Sequence, residues 1–213
     1  SAQFEVCESN GYLRFFWGTT VYPTGTPPAT LFIKDGNWHH VAAVRSGSGF
    51  LVYLDGVLVF TSPTSLPALN NFTRLRIGAF WNGVSATTAW DGQIDEVRVW
   101  NTVRTPTQIS TYRNCPLPTC SETGLVLYYK LDEGVAYGSN PNITLADDCS
   151  SSNNNGTLNG PFALTGTSSN WVCGDSLFGA TCCPADFSWT RDSCGNVQFT
   201  NLTQQPVPPT YTY

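Results

Sequence analysis

Between Phe50 and Phe60 two alternating apolar runs, Phe50-Leu51-Val52-Tyr53-Leu54 and Val57-Leu58-Val59-Phe60, flank the dipeptide Asp55-Gly56. A type I′ turn needs positive φ at both central residues, and Asp-Gly is one of the few pairs that adopts it at little cost. The chain therefore reverses here as an antiparallel hairpin. A two-stranded ribbon cannot bury its apolar face unaided, so further strands have to cover it.

Such strands are written on both sides. Gly11 to Trp17 carries an aromatic face, and Ala29 to Lys34 reads as a second strand after a Pro/Thr/Gly loop. Trp38 to Arg45 is a third, entered through the Asp35-Gly36-Asn37 turn. Arg74 to Phe80 alternates Arg with Leu and Ile, which places arginine outward and the apolar residues inward. Gly92 to Trp100 follows; Ile94 and Val97 have opposite parity there, which calls for a β-bulge near Asp95-Glu96. One short helix is expected, with Thr105 as N-cap, Pro106 in the first turn, Ile109 and Tyr112 on one face and Arg113 at its end. Beyond it, Gly124 to Leu131 alternates as a strand, Pro141 to Gly160 is polar, and a fresh strand pattern starts at Ala185.

Composition narrows the class. Only 12% of the 213 residues are charged, and Gly, Pro, Ser, Thr and Asn fill the polar positions, as in turn-rich all-β extracellular material. With ten basic against fifteen acidic side chains there is no patch to neutralise a phosphate backbone, so nucleic acid is not an expected partner. No apolar run reaches the roughly 18 residues that span a bilayer, so membrane insertion is not expected. The chain starts at Ser1 with no leader pattern, which suggests a segment of a longer secreted polypeptide.

Of eight cysteines, seven follow residue 114: Cys115, Cys120, Cys149, Cys173, Cys182, Cys183 and Cys194. The spacings lack the paired C-x2-C knuckles of a zinc ribbon, so disulfides in an oxidising compartment are the expectation. Adjacent Cys182 and Cys183 need different partners. Spacing suggests Cys183 with Cys194, and either Cys149 or Cys173 with Cys182.

Four motifs occur in order: Asp35-Gly36-Asn37-Trp38-His39-His40-Val41-Ala42; Val52-Tyr53-Leu54-Asp55-Gly56-Val57; Leu75-Arg76-Ile77-Gly78; and Asp91-Gly92-Gln93-Ile94-Asp95-Glu96-Val97-Arg98-Val99-Trp100. Over roughly residues 11 to 113 this resembles LamG-like domains of the concanavalin A-like lectin/glucanase superfamily. The resemblance implies an all-β antiparallel jelly-roll sandwich. On that basis residues 1–113 form the sandwich without its N-terminal strands, and 114–183 a cysteine-rich tail with one strand packing on it. Residues 184–213 resemble the first strands of a PKD-type, immunoglobulin-like domain, a neighbour of LamG-like modules in large secreted surface proteins of Bacteroidetes-type bacteria.

The resemblance also directs attention to particular side chains. Trp81, Asn82, Trp90 and Asp91 have the content of a sugar-stacking rim, although the two indoles would equally well plug the sandwich edge. Such folds hold Ca2+ through carboxylate and carbonyl oxygens, and Asp95 and Asp132 are the candidate ligands; Asp95 otherwise forms a bulge or turn. Asp35 and Asp55 are explained by turn chemistry and His39 and His40 as sheet-supporting motif positions; Asp147-Asp148 could ligate a cation but reads better as solvated loop acid. The five glutamates show no Glu-x-Asp-x-x-Glu spacing, and no Gly-x-Ser-x-Gly elbow occurs, so catalysis is not expected. The resulting expectation is a non-catalytic extracellular adhesion module of a large bacterial surface protein, binding glycans or surface proteins with calcium. Its rivals are a structural repeat of a surface filament and, less well supported, a glycoside hydrolase.

Overall fold

The structure, a computed structural model, describes residues 4–62, 66, 75–81, 86–159, 170–172, 187–191 and 197–201. The regular structure of the described residues is mostly β-strand, with one short α-helix. The strands are β1 (Phe4–Ser9), β2 (Tyr12–Trp17), β3 (Thr20–Tyr22), β4 (Val41–Ser46), β5 (Gly49–Leu54), β6 (Val57–Thr61), β7 (Ala79–Trp81), β8 (Ala86–Ala89) and β9 (Val97–Trp100). After helix α1 (Pro106–Tyr112) come β10 (Leu125–Tyr129), β11 (Leu145–Ala146), β12 (Gly156–Thr157), β13 (Phe187–Arg191) and β14 (Val197–Asn201). All pairings are antiparallel, and two three-stranded sheets, β1-β2-β3 and β4-β5-β6, carry the main core.

The expected hairpin is β5-β6, with Asp55 and Gly56 at φ 52° and 81°. A second one was missed. Asn10 and Gly11, at φ 56° and 90°, join β1 to β2 by the same turn chemistry, so a strand precedes residue 11 where none was expected. Gly11 is needed twice over: a Cβ there would sit 2.5 Å from Cε2 of Phe32.

Every second residue of β2 is buried: Leu13, Phe15 and Trp17 face Phe50, Val52 and Leu54 of the other sheet. Phe50 is the common partner. Its ring stacks on Trp17 at 5.6 Å and 8°, and meets Phe4, Phe15 and Tyr22 edge-on at 5.6 to 5.9 Å. The aromatic clustering adds geometric preference to area burial.

Four expected strands are shorter or absent; the one expected from Gly92 to Trp100 keeps only Val97–Trp100. Ala29 to Lys34 is not a strand: Ala29–Leu31 forms a 3-10 turn, with Leu31 N donating to Pro28 O, and only Phe32 bridges to Tyr12. Pro27 and Pro28 offer no N–H to a ladder and start the chain in a turn. Residues 75–78 precede β7 outside any strand, and Leu75 and Ile77 are exposed instead of facing inward. Gly78, at φ 80°, breaks the extended run. The third strand begins only at Val41, because the backbone of His40 is engaged by Asp55: His40 N donates to Oδ1 at 2.9 Å and Asp55 N donates to His40 O at 2.8 Å.

The helix matches its sequence signals. Gln108 N donates to the Thr105 hydroxyl and Thr105 N donates to the Gln108 side chain, a full capping box ahead of Pro106. Its Ile109 packs on Val44 and Tyr53.

In the tail, β10 pairs with β9. Cys120 bonds Cys149, which excludes the Cys149–Cys182 alternative; Cys120 approaches Cys149 because the backbone of Cys149 pairs with Tyr128 in β10. Cys115 is also disulfide-bonded, and Cys7 is a free thiol whose pKa burial and then Glu5 and Glu8 push up to about 11. Cys173, Cys182, Cys183 and Cys194 lie outside the described residues, and with them the Cys183–Cys194 pairing. β13 and β14 pair with each other over Phe187 to Asn201, where a new strand pattern was expected.

Two stability changes follow from this packing. Phe50→Ala should cost about 3–5 kcal/mol in chemical denaturation, as for a large aromatic removed from a core. Replacing Cys120 and Cys149 together by Ala should cost about 3 kcal/mol, since the bridge closes a loop of 29 residues.

Candidate ligand-binding rim

The pairing of β9 with β10 brings residues 95–98 beside residues 128–132 and makes one polar joint. The parity break expected near Asp95-Glu96 falls at Glu96, a non-glycine residue at φ 54°; the ladder's own register shift lies elsewhere, between Leu125 and Leu127. Glu96 Oε2 accepts a hydrogen bond from the Tyr128 hydroxyl at 2.6 Å and another from the Arg98 guanidinium. Arg98 also donates to the carbonyls of Tyr112 at 2.8 Å and Cys115 at 2.7 Å, tying the helix end to the sheet. Burial, and then Glu96, raise the Tyr128 hydroxyl above its ordinary pKa. Glu96 is therefore a structural acceptor, with its carboxylate committed to two donors.

Asp95 is placed differently. Among the described residues its one donor is Glu96 N, 2.9 Å from Oδ1. Burial pushes its pKa up to about 6, with the charges of Glu96 and Asp132 adding to the rise. Asp95 and Asp132 are thus within electrostatic reach of each other, while Asp132 itself is exposed.

Asp132 belongs to an open concavity of about 470 Å³ lined by Lys130, Asp132, Glu133, Ile143, Asp147 and Cys149. Leu131, at φ 58°, turns the chain out of the strand direction and delivers Asp132 and Glu133 to this rim. Glu133 Oε1 accepts from Asp147 N at 2.8 Å, whereas its Oε2 is buried with no hydrogen-bond partner among the described residues. Lys130 and Glu133 were not singled out from the sequence, and Asp147, read there as solvated loop acid, lines this concavity. The signal was present in Lys130-Leu131-Asp132-Glu133-Gly134, charged residues at the exit of an apolar strand.

Asp148 corrects an expectation: it is not a solvated loop acid but is 6% exposed. Its carboxylate accepts from the N–H groups of Tyr128, Ser150 and Asn154 and from the Ser150 hydroxyl, all at 2.8 to 2.9 Å. These donors outweigh burial and hold its pKa below the ordinary carboxylate value.

The aromatic candidates sit on the β7-β8 hairpin and its exit. Trp81 pairs with Ala86 at one end of the ladder, whereas Trp90 N donates to Gly78 O at the other, at 2.7 Å. The two backbone positions are three residues apart along the strand, roughly 10 Å. Trp90 is 39% exposed and is followed by exposed Asp91. Asn82 lies outside the described residues. Among the described residues no three His, Cys, Asp or Glu side chains are grouped to hold a metal ion.

Residues 1–110 match the Laminin_G_3 family of the concanavalin A-like lectin/glucanases superfamily. A crystal structure of a candidate carbohydrate binding protein from Bacteroides ovatus is similar, at 26% identity and a TM-score of 0.51. The similarity covers 70% of this chain but 40% of that one, so the present chain matches less than half the length of the solved protein. No curated protein matches the chain.

The folded-state pKa of Asp95 lies above the ordinary 3.8, so its contribution to stability is present at low pH and is lost as pH rises through about 6. Asp95→Asn should therefore stabilise the chain near pH 7.5 by on the order of 1 kcal/mol after solvent screening, read as a raised melting temperature. Below about pH 4 the gain should vanish.

Proposed function

The chain belongs to the Laminin_G_3 family of the concanavalin A-like lectin/glucanases superfamily, and from that membership we propose that it is a non-catalytic carbohydrate-binding module. The observation that carries this reading is the joint occurrence of the family match over residues 1–110 and a structural likeness to a candidate carbohydrate binding protein. The surface chemistry is in keeping with it. An exposed indole at Trp90 offers a face on which a sugar ring stacks, and Asp91 beside it accepts hydroxyl hydrogen bonds. Trp81, at the far end of the same hairpin, extends this reading, and Asn82, outside the described residues, is proposed with it from the sequence alone. At the β10 exit, Asp132, Glu133 and Asp147 present further acceptors around an open concavity.

The non-catalytic part rests on Glu96. Glycoside hydrolysis needs two carboxyl groups free to act on opposite sides of a bond. Glu96, next to Asp95, is occupied by Arg98 and Tyr128.

We extend the proposal to calcium. A hard cation takes oxygen ligands, and Asp95 carries a half-buried carboxylate that its surroundings leave short of donors. Asp95 and Asp132 would be its protein carboxylates, with carbonyls and water completing the shell. The cation would supply the charge compensation that Glu96 and Asp132 deny to Asp95.

The setting we propose is extracellular. The Cys120–Cys149 disulfide fits an oxidising compartment, and no helix among the described residues is long and apolar enough to cross a membrane. Adhesion at a bacterial cell surface, with a PKD-type domain following at residues 184–213, is the context that the sequence resemblance supplies. The partners would be glycans or surface proteins.

A glycan array and calorimetry on the full chain, with and without Ca2+, test the proposal. Binding should be seen to at least one glycan class, weaken at least tenfold in Trp90→Ala, and weaken on chelation and in Asp95→Asn. A chain that binds no glycan in either condition would leave a structural repeat as the better reading. Binding untouched by chelation would remove calcium alone.

A further inference from the structure

The segment entering β4 and the turn between β5 and β6 meet through one imidazole. His39 Nδ1 lies 2.8 Å from Asp55 Oδ2, and His39 Nε2 lies 3.1 Å from Asp35 Oδ1. A neutral imidazole has one N–H and one lone pair. It satisfies one of these contacts and sets its lone pair against a carboxylate in the other. Only the imidazolium, with a proton on each nitrogen, satisfies both.

The surroundings favour that form. Burial pulls the His39 pKa down, but the hydrogen bonds and charges of Asp55 and Asp35 overcome it and leave it above 6.5. The charged groups at this junction among the described residues are few. Asp35 faces the ring from the Asp35-Gly36-Asn37 turn, and Asp55 faces it from the hairpin turn. Arg113, at the C-cap of α1, donates to the carbonyl of Asp55 and not to its carboxylate. His40, next along the chain, is kept neutral: burial, then Arg98, lower its pKa to about 4.

The two carboxylates are held unequally. Asp55 is anchored without His39: its Oδ1 takes His40 N, its own N–H reaches His40 O, and its carbonyl takes Arg113. Gly56 leaves the space for that arginine, whose Nη1 would stand 3.3 Å from a Cβ there. Among the described residues Asp35 is hydrogen-bonded only inside its own turn, by the Asn37 side chain and by Asn37 N at 2.9 Å, besides the contact with His39. The contact to Asp55 is also the shorter one, so a neutral ring keeps its proton on Nδ1.

We propose that His39 is a proton-operated latch: doubly protonated it fastens the Asp35–Asn37 turn to the β5-β6 hairpin turn, and loss of the Nε2 proton frees the first turn while the second stays anchored. The latch closes on the acid side of its titration and opens on the alkaline side. Its stabilising effect is fully present below 6.5 and is lost as pH rises through the folded-state pKa. This rests on no assumption about glycan binding.

The test is an NMR titration of the full chain from about pH 5 to 9, reading the two ring nitrogens of His39 and the backbone amides around it. His39→Gln assigns the ring signals. Both nitrogens should be protonated at the acid end, and the midpoint should lie above 6.5. The amides of Gly36 and Asn37 should move with the same midpoint and exchange faster above it, while those of His40 and Asp55 remain protected. Asp35→Asn should lower the midpoint and uncouple the 36–37 amides from it. A His39 ring already neutral near pH 6, or one that titrates with no response at Gly36 and Asn37, would overturn the latch. Both of these outcomes are read on the unmodified chain and so do not depend on a variant folding.

Discussion

The stacking of Phe50 on Trp17, across the gap between two three-stranded sheets, is the contact on which the rest of the sandwich depends. Neither sheet covers its own apolar face, so each needs the other to take that face out of water. Phe50 touches rings contributed by β1, β2, β3 and β6, so one side chain registers most of the strands against each other. A chain with 12% charged residues has few ion pairs to spend on this task. Its hydrogen-bonded joints stand outside the aromatic cluster, at the His39 junction and at the Glu96–Arg98–Tyr128 joint, where they set loop geometry.

The carboxylates divide by how many donors reach them. Asp148 receives four hydrogen bonds although almost no water touches it, and it stays ionised easily. Asp95 is only half-buried yet receives one, and it holds its proton to unusually high pH. Donor count is what separates a carboxylate that organises backbone from one that retains unsatisfied capacity for a ligand.

Local turn chemistry was legible in the sequence where it acts within a few residues. Asp55-Gly56 and the Thr105–Gln108 cap are read directly, because the groups that satisfy each other are neighbours. The same rule applied to Asn10-Gly11 finds β1; Phe4 to Ser9 lacks clean alternation, with Val6 exposed, and was passed over. The strands that fell short did so through distant partners or missing donors: Pro27-Pro28 deny a ladder at 29–34, and Asp55 captures the backbone of His40 from 15 residues away. At the candidate rim, Asp95 and Asp132 could be named from motif position, but the commitment of Glu96 could not. It depends on Tyr128 and on the carbonyl of Cys115, which sequence distance hides. Asp148 was misjudged partly for the same reason: Ser150 and Asn154 are near it in the loop, but Tyr128, which draws it against β10, lies 20 residues away.

The Cys120–Cys149 bridge has a mechanical side. Cys120 lies between α1 and β10, and Cys149 sits beside β10 at a sequence separation of 29, so the bond short-circuits the intervening chain. Tension applied along the polypeptide from beyond residue 149 would pass from sulfur to sulfur and reach the segment at 115–120 directly. The loop that carries Lys130, Asp132, Glu133 and Asp147 lies inside this bypass and would bear none of the load, keeping its shape while the chain around it is stretched.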